Sequence, residues 1–143
     1  MKKKRWGFGK HLMLDGYGCD KQKLMDMMLI YDFLDHYPEE MEMTKIMPPY
    51  VFRYSGKSSE EWGFSGFVLI AESHISIHTF PEKGFLSLDV FSCKDFNTNK
   101  AVSYVTNLFS IQSKEINILN RGLEYPKQSE RAIKIIRQER KAL

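Results

Sequence analysis

The chain has 143 residues, a length that suits one domain around one core, and its 43% hydrophobic and 27% charged content is that of an ordinary globular protein. No apolar run approaches the ~20 residues of a bilayer span, the basic start MKKKRWGFGKH is not followed by the apolar core of a signal peptide, and Cys19 and Cys93 lack the spacing of a disulfide framework or a zinc site. Two basic ends, residues 1–10 and 127–143, enclose an acidic middle, so a cytosolic protein with solvated ends, no membrane or nucleic-acid role and a preference for a cationic ligand is expected.

In chain order, Phe8 to Leu14 reads as a first strand stopped by the turn-like Asp15-Gly16-Tyr17-Gly18, and Asp20 reads as a helix N-cap. From Lys21 to about His36 the apolar residues Leu24, Met27, Met28, Tyr31 and Leu34 follow helical steps, predicting one amphipathic helix with a Met-rich core stripe, ended by Pro38. Met43 to Tyr54 predicts a strand broken by Pro48-Pro49, and residues 55–61 a polar loop. Phe64 to Ala71 and Ile75 to Phe80 read as strands, and the turn signal Pro81-Glu82-Lys83-Gly84 leads into Phe85 to Phe91 as the second arm of a hairpin. Asn97 to Phe109 predicts a second helix, Glu115 to Asn120 a last strand, and residues 126–142 a basic terminal helix. Strands grouped between helices give an α+β domain over 1–143, one antiparallel sheet with helices packed on one face.

The stretch Ala71-Glu72-Ser73-His74-Ile75-Ser76-Ile77-His78-Thr79 carries two histidines and two serines in a strand. Folding the hairpin about Pro81 to Gly84 sets Ser73 opposite Cys93. Ser73 and His78 then lie five steps apart, about 17 Å, on opposite faces of the sheet. Taken singly, His74, Ser76 and His78 fit the polar face of a half-exposed strand, and Cys93 fits a small core residue.

Together, Gly63-Phe64-Ser65-Gly66-Phe67, Glu72-Ser73-His74, His78-Thr79-Phe80-Pro81-Glu82 and Asp89-Val90-Phe91-Ser92-Cys93 closely resemble the prokaryotic S-adenosylmethionine decarboxylases, pyruvoyl enzymes of polyamine synthesis. The likeness is strongest over 63–93 and extends to Gly9-Lys10-His11-Leu12. It implies a proenzyme that cuts itself between Glu72 and Ser73 into a β chain, 1–72, and an α chain, 73–143. The Ser73 hydroxyl would attack the preceding carbonyl, and the resulting ester would eliminate to leave a pyruvoyl group as the cofactor. That group would form a Schiff base with S-adenosylmethionine and accept electrons as CO2 leaves, giving the aminopropyl donor for spermidine. The resemblance further implies that Ser65 and His78 assist processing, that Cys93 protonates the substrate carbon, that Glu82 holds the ribose and that Phe80 stacks on adenine. Phe52 or Tyr54 would add a second ring. No metal is implied.

Because Glu82 and His78 lie too far along the hairpin to serve their own Ser73, the resemblance implies a homodimer with composite sites, its sheets face to face as an αββα sandwich. Ser73 and Cys93 would come from one protomer, and Ser65, His78, Phe80 and Glu82 from its neighbour. Three departures bear on the ligand pocket: a longer loop over 57–61, Phe64 in place of a small aliphatic residue, and Phe80 where tryptophan is frequent. The same self-processing residues would serve an ornithine or arginine decarboxylase of this fold. A non-catalytic binding domain is the reading from a different class.

Overall fold

The computed structural model describes residues 9–122 together with Arg137, Gln138 and Lys141. Its six strands are β1 (Gly9–Tyr17), β2 (Tyr50–Ser55), β3 (Trp62–Ile70), β4 (Ser73–Phe80), β5 (Phe85–Ser92) and β6 (Ser113–Arg121). They form one antiparallel sheet in the order β2-β3-β4-β5-β1-β6. The helices are α1 (Lys21–Leu24), α2 (Met27–Glu40) and α3 (Thr98–Phe109).

Period-two alternation decides which face of the sheet is covered. Leu12, Leu14, Val68, Ile70, Ile75, Ile77, Leu86, Leu88 and Val90 are all at most 2% exposed and meet Ile30, Phe33, Leu34 and Tyr37 of α2 and Ala101, Val105 and Phe109 of α3 in one core. Each such side chain contributes on the order of 2 kcal/mol by leaving water. Three hydroxyls enter this layer, and all are paired, the Ser92 hydroxyl donating to Lys94 O at 2.8 Å. Thr79 Oγ1 donates to Leu24 O and accepts from the Phe64 amide, each at 3.1 Å, and the Tyr37 hydroxyl donates to Ala101 O at 2.9 Å. Among the described residues no helix covers the opposite face, and there Phe67, His74, Ser76, His78, Ser87 and Asp89 are half-buried or exposed.

The expected α+β layout is found, with several local corrections. Asp15, Gly16 and Tyr17 belong to β1 instead of ending it, because each pairs with both β5 and β6, apart from Tyr17, which pairs with β6 alone. The single helix from Lys21 is two helices: Asp20 caps the first as expected, and Asp26 caps the second through the Leu29 amide. This break resets the helical phase, so Met27 and Met28 are exposed at 44% and 61% while Ile30, Phe33, Leu34 and Tyr37 take the core. Pro38 lies inside α2, in its last turn, instead of terminating it earlier. The strand expected from Met43 shrinks to β2, preceded by an isolated bridge between Lys45 and Ile70. Apart from its three described residues, the terminal helix expected at 126–142 lies outside the described part. No helix among the described residues is long and apolar enough to cross a membrane.

Candidate active site

The hairpin of β4 and β5 turns through a short 3-10 segment, Pro81–Lys83, with Gly84 in the left-handed region at φ 58°. Pro81 pre-sets the first residue of the turn and Gly84 accepts a backbone that other residues resist. Phe80 pairs with Phe85, which places Ser92 opposite Ser73. The expected register is therefore one residue off, and Cys93 lies just beyond the ladder. The pairing matters because one residue changes the face: Ser92 is fully buried, whereas Cys93 is half-buried.

Ser73 opens β4 immediately after the two-residue turn Ala71-Glu72 that joins it to β3. The Glu72 carbonyl accepts the Cys93 amide N–H at 2.9 Å. Its carboxylate accepts the Thr44 amide at 3.1 Å, and the Ala71 amide donates back to Thr44 O at 2.8 Å. The Glu72-Ser73 peptide is thus held from two sides, with a donor aimed at the carbonyl oxygen, where negative charge would develop if that carbonyl were attacked. Ser73 is half-buried and the Cys93 thiol is free. The other thiol, Cys19, is buried beside the far turn, and burial pushes it up to about 11.

At the other end of the same strands, Ser65 of β3 and His78 of β4 are directly paired, and Ser65 Oγ lies 2.8 Å from His78 Nδ1 in a hydrogen bond. Phe52 of β2 is the cross-strand partner of Ser65 on the uncovered face, 45% exposed, with the Tyr50 ring tilted against it at 5.7 Å. Tyr54 is also exposed. Phe80 packs on Phe85 at 5.4 Å. Glu82 sits in the turn, where its carboxylate accepts from Lys21 Nζ at 2.8 Å and Trp62 Nε1 at 3.3 Å. Those two donors, Lys21 first, hold the carboxyl below the usual carboxylate range.

The expected residues therefore form two clusters: Glu72, Ser73 and Cys93 at one end of β4, and Ser65, Phe52, His78, Phe80 and Glu82 at the other. Within one chain they do not meet. Ser73 has the parity of buried Ile75 and Ile77, His78 that of the open face, and five strand steps separate them by about 17 Å. Phe64 departs from expectation: it is 8% exposed in the helix-covered core, so it does not line the open face.

Several neighbours had no assigned role in the sequence reading. On the open face near Ser73, His11 Nε2 lies 3.0 Å from Asp89 Oδ1, and His74 packs against Phe91 at 5.6 Å. Burial first, then the charges of His11 and Arg121, lower the His74 pKa. Thr44, Lys21 and Trp62 grip the two glutamates. Their contacts span 28, 61 and 20 residues, and no spacing rule reaches so far. Among the described residues no group of three His, Cys, Asp or Glu side chains is placed to hold a metal ion.

The sequence profile of the S-adenosylmethionine decarboxylase family matches residues 10–122. The chain is 34% identical over 117 residues to the S-adenosylmethionine decarboxylase proenzyme of Pyrococcus horikoshii, covering 81% of this chain and 80% of that one. It is 36% identical over 122 residues to the proenzyme of the same name from Syntrophomonas wolfei, covering 84% and 92%. The crystal structure of the adenosylmethionine decarboxylase from Aquifex aeolicus superposes with a TM-score of 0.67 at 29% identity, over 87% of this chain and 98% of that one.

Proposed function

The chain belongs to the S-adenosylmethionine decarboxylase family, and we propose that it is a self-cleaving proenzyme whose own Ser73 becomes the pyruvoyl group on which S-adenosylmethionine loses CO2. It is a carboxy-lyase, and its product is the aminopropyl donor for spermidine. The observation that carries the processing step is the Cys93 amide on the Glu72 carbonyl.

In this reading Ser73 Oγ adds to the Glu72 carbonyl carbon, the C–N bond breaks, and the acyl group moves from nitrogen to oxygen. The Cys93 N–H stabilises the charge on the carbonyl oxygen throughout. Loss of the Ser73 α-proton then expels the Glu72 carboxylate, closing the β chain at 72. Water replaces the nitrogen, released as ammonia, to leave the pyruvoyl carbonyl. The half-buried site and the donor aimed at the scissile carbonyl fit such a group. Once formed, that carbonyl supplies an electron sink for the breaking carbon–carbon bond. Cys93 delivers a proton to the carbon left by CO2.

His78, oriented by Ser65, assists the processing of a neighbour's Ser73, because its own is out of reach along β4. The unit of activity is accordingly a homodimer with the uncovered sheet faces together, an αββα sandwich with two composite sites. Exposed Phe52, Tyr50 and Tyr54 on that face give such an interface its apolar area. Phe80, with Phe52, stacks on the adenine and Glu82 receives the ribose hydroxyls.

Mass spectrometry of the purified protein tests the reading. Two fragments divided at Glu72/Ser73, the second blocked by a pyruvoyl group, are expected, together with CO2 release from S-adenosylmethionine. An intact chain, or release from ornithine or arginine alone, would overturn it.

A further inference from the structure

We propose that Lys21 and Trp62 are positioning residues for substrate: together they fix the Glu82 carboxylate so that one free acceptor direction on each oxygen meets the two ribose hydroxyls. The inference rests on the assignment of Glu82 to the ribose made above.

A carboxylate offers about four acceptor directions, two per oxygen. Lys21 Nζ takes one on Oε2 at 2.8 Å and Trp62 Nε1 takes one on Oε1 at 3.3 Å, so each oxygen keeps one. A vicinal diol presents two donors to two acceptors, which matches what is left. Both donors are themselves held. Lys21 is the first residue of α1, whose cap Asp20 accepts the Gln22 and Lys23 amides. The Cys19 amide donates to Gly84 O at 3.0 Å, tying the start of α1 to the turn that carries Glu82, and the Asp20 amide donates to Phe109 O at 3.0 Å, tying it to the end of α3. The Trp62 indole is gripped by the Arg53 guanidinium, 4.6 Å from its ring, and by the edge of Phe64 at 6.0 Å. An exposed glutamate in a turn would otherwise sample several rotamers, and ordering it would fall on the substrate.

Steady-state kinetics of Lys21→Met and Trp62→Phe in the processed enzyme test this. Each variant is expected to self-cleave normally, to keep kcat within about twofold and to raise KM for S-adenosylmethionine about tenfold. Lys21→Arg, which preserves the charged donor, should restore KM. With the 2′,3′-dideoxyribosyl analogue of the substrate, neither substitution should change KM further. Equal KM increases for the analogue and the parent, or unchanged KM in both variants while Glu82→Gln raises it, would overturn the positioning role and leave the ribose assignment standing. An unchanged KM in Glu82→Gln would overturn the ribose assignment and this inference with it.

Discussion

Co-expression of two inactive chains gives the sharpest test of the composite site. Ser73 and His78 begin five steps apart on one strand, about 17 Å. A hydrogen bond needs about 3 Å, so no rotamer joins them within a chain. In the proposed dimer a Ser73→Ala chain would have no hydroxyl with which to cut itself, and a His78→Ala chain would lack the group its partner's Ser73 requires. Paired, the Ser73 of the second chain meets the His78 of the first. With equal amounts and random pairing, about half the dimers are mixed and each holds one complete site. About half of the His78→Ala chains should then be cleaved, and about a quarter of the parental decarboxylase activity should appear. Distinct tags on the two chains let a denaturing gel report which is cut, and CO2 release reports the sites. No cleavage in the mixture, or full cleavage of the His78→Ala chain by itself, would refute the reasoning.

Cys93→Ala keeps the backbone amide that polarises Glu72, so it should still process while losing decarboxylation by about a hundredfold or more, measured as CO2 per pyruvoyl chain. Gly63→Ala places a Cβ 1.7 Å from Thr79 O, a backbone atom that cannot yield without parting β3 from β4, and should cost about 3 kcal/mol in denaturant unfolding. His74 has a lowered pKa when folded, so the unfolded chain binds a proton more readily. Its contribution is present above the unfolded value of about 6.5 and is lost as pH falls through the lower folded value. Thermal melting between pH 7 and 5 should show His74→Gln losing less stability than the parent, and equal losses would remove this residue from the explanation.

Element types were readable because local signals agreed. Asp20 and Asn97 cap their helices as their side chains dictate, and Pro81 to Gly84 turns the hairpin. The Met27-Met28 stripe misled because a second cap at Asp26 restarts the helix, and hydrophobic periodicity is blind to such a phase break. The candidate site divided in the same way. The two clusters follow from counting along β4, but the bonds that hold Glu72 and Glu82 depend on Thr44, Lys21 and Trp62, which only the folded topology brings near. The one-residue register difference is small in sequence and large in chemistry, for it puts the Cys93 amide N–H on the Glu72 carbonyl.

The strand order has a consequence for the proposed cut. A break between Glu72 and Ser73 assigns β1, β2 and β3 to one fragment and β4, β5 and β6 to the other, yet β1 lies between β5 and β6. The fragments are interleaved like fingers of two hands, with β3 on β4 and β1 on both β5 and β6 crossing the divide. Separating them would mean tearing three ladders open, and assembling them afterwards would require β1 to slot between strands of a different molecule. The proposed cleavage would therefore follow folding, and the cleaved pair would remain one body.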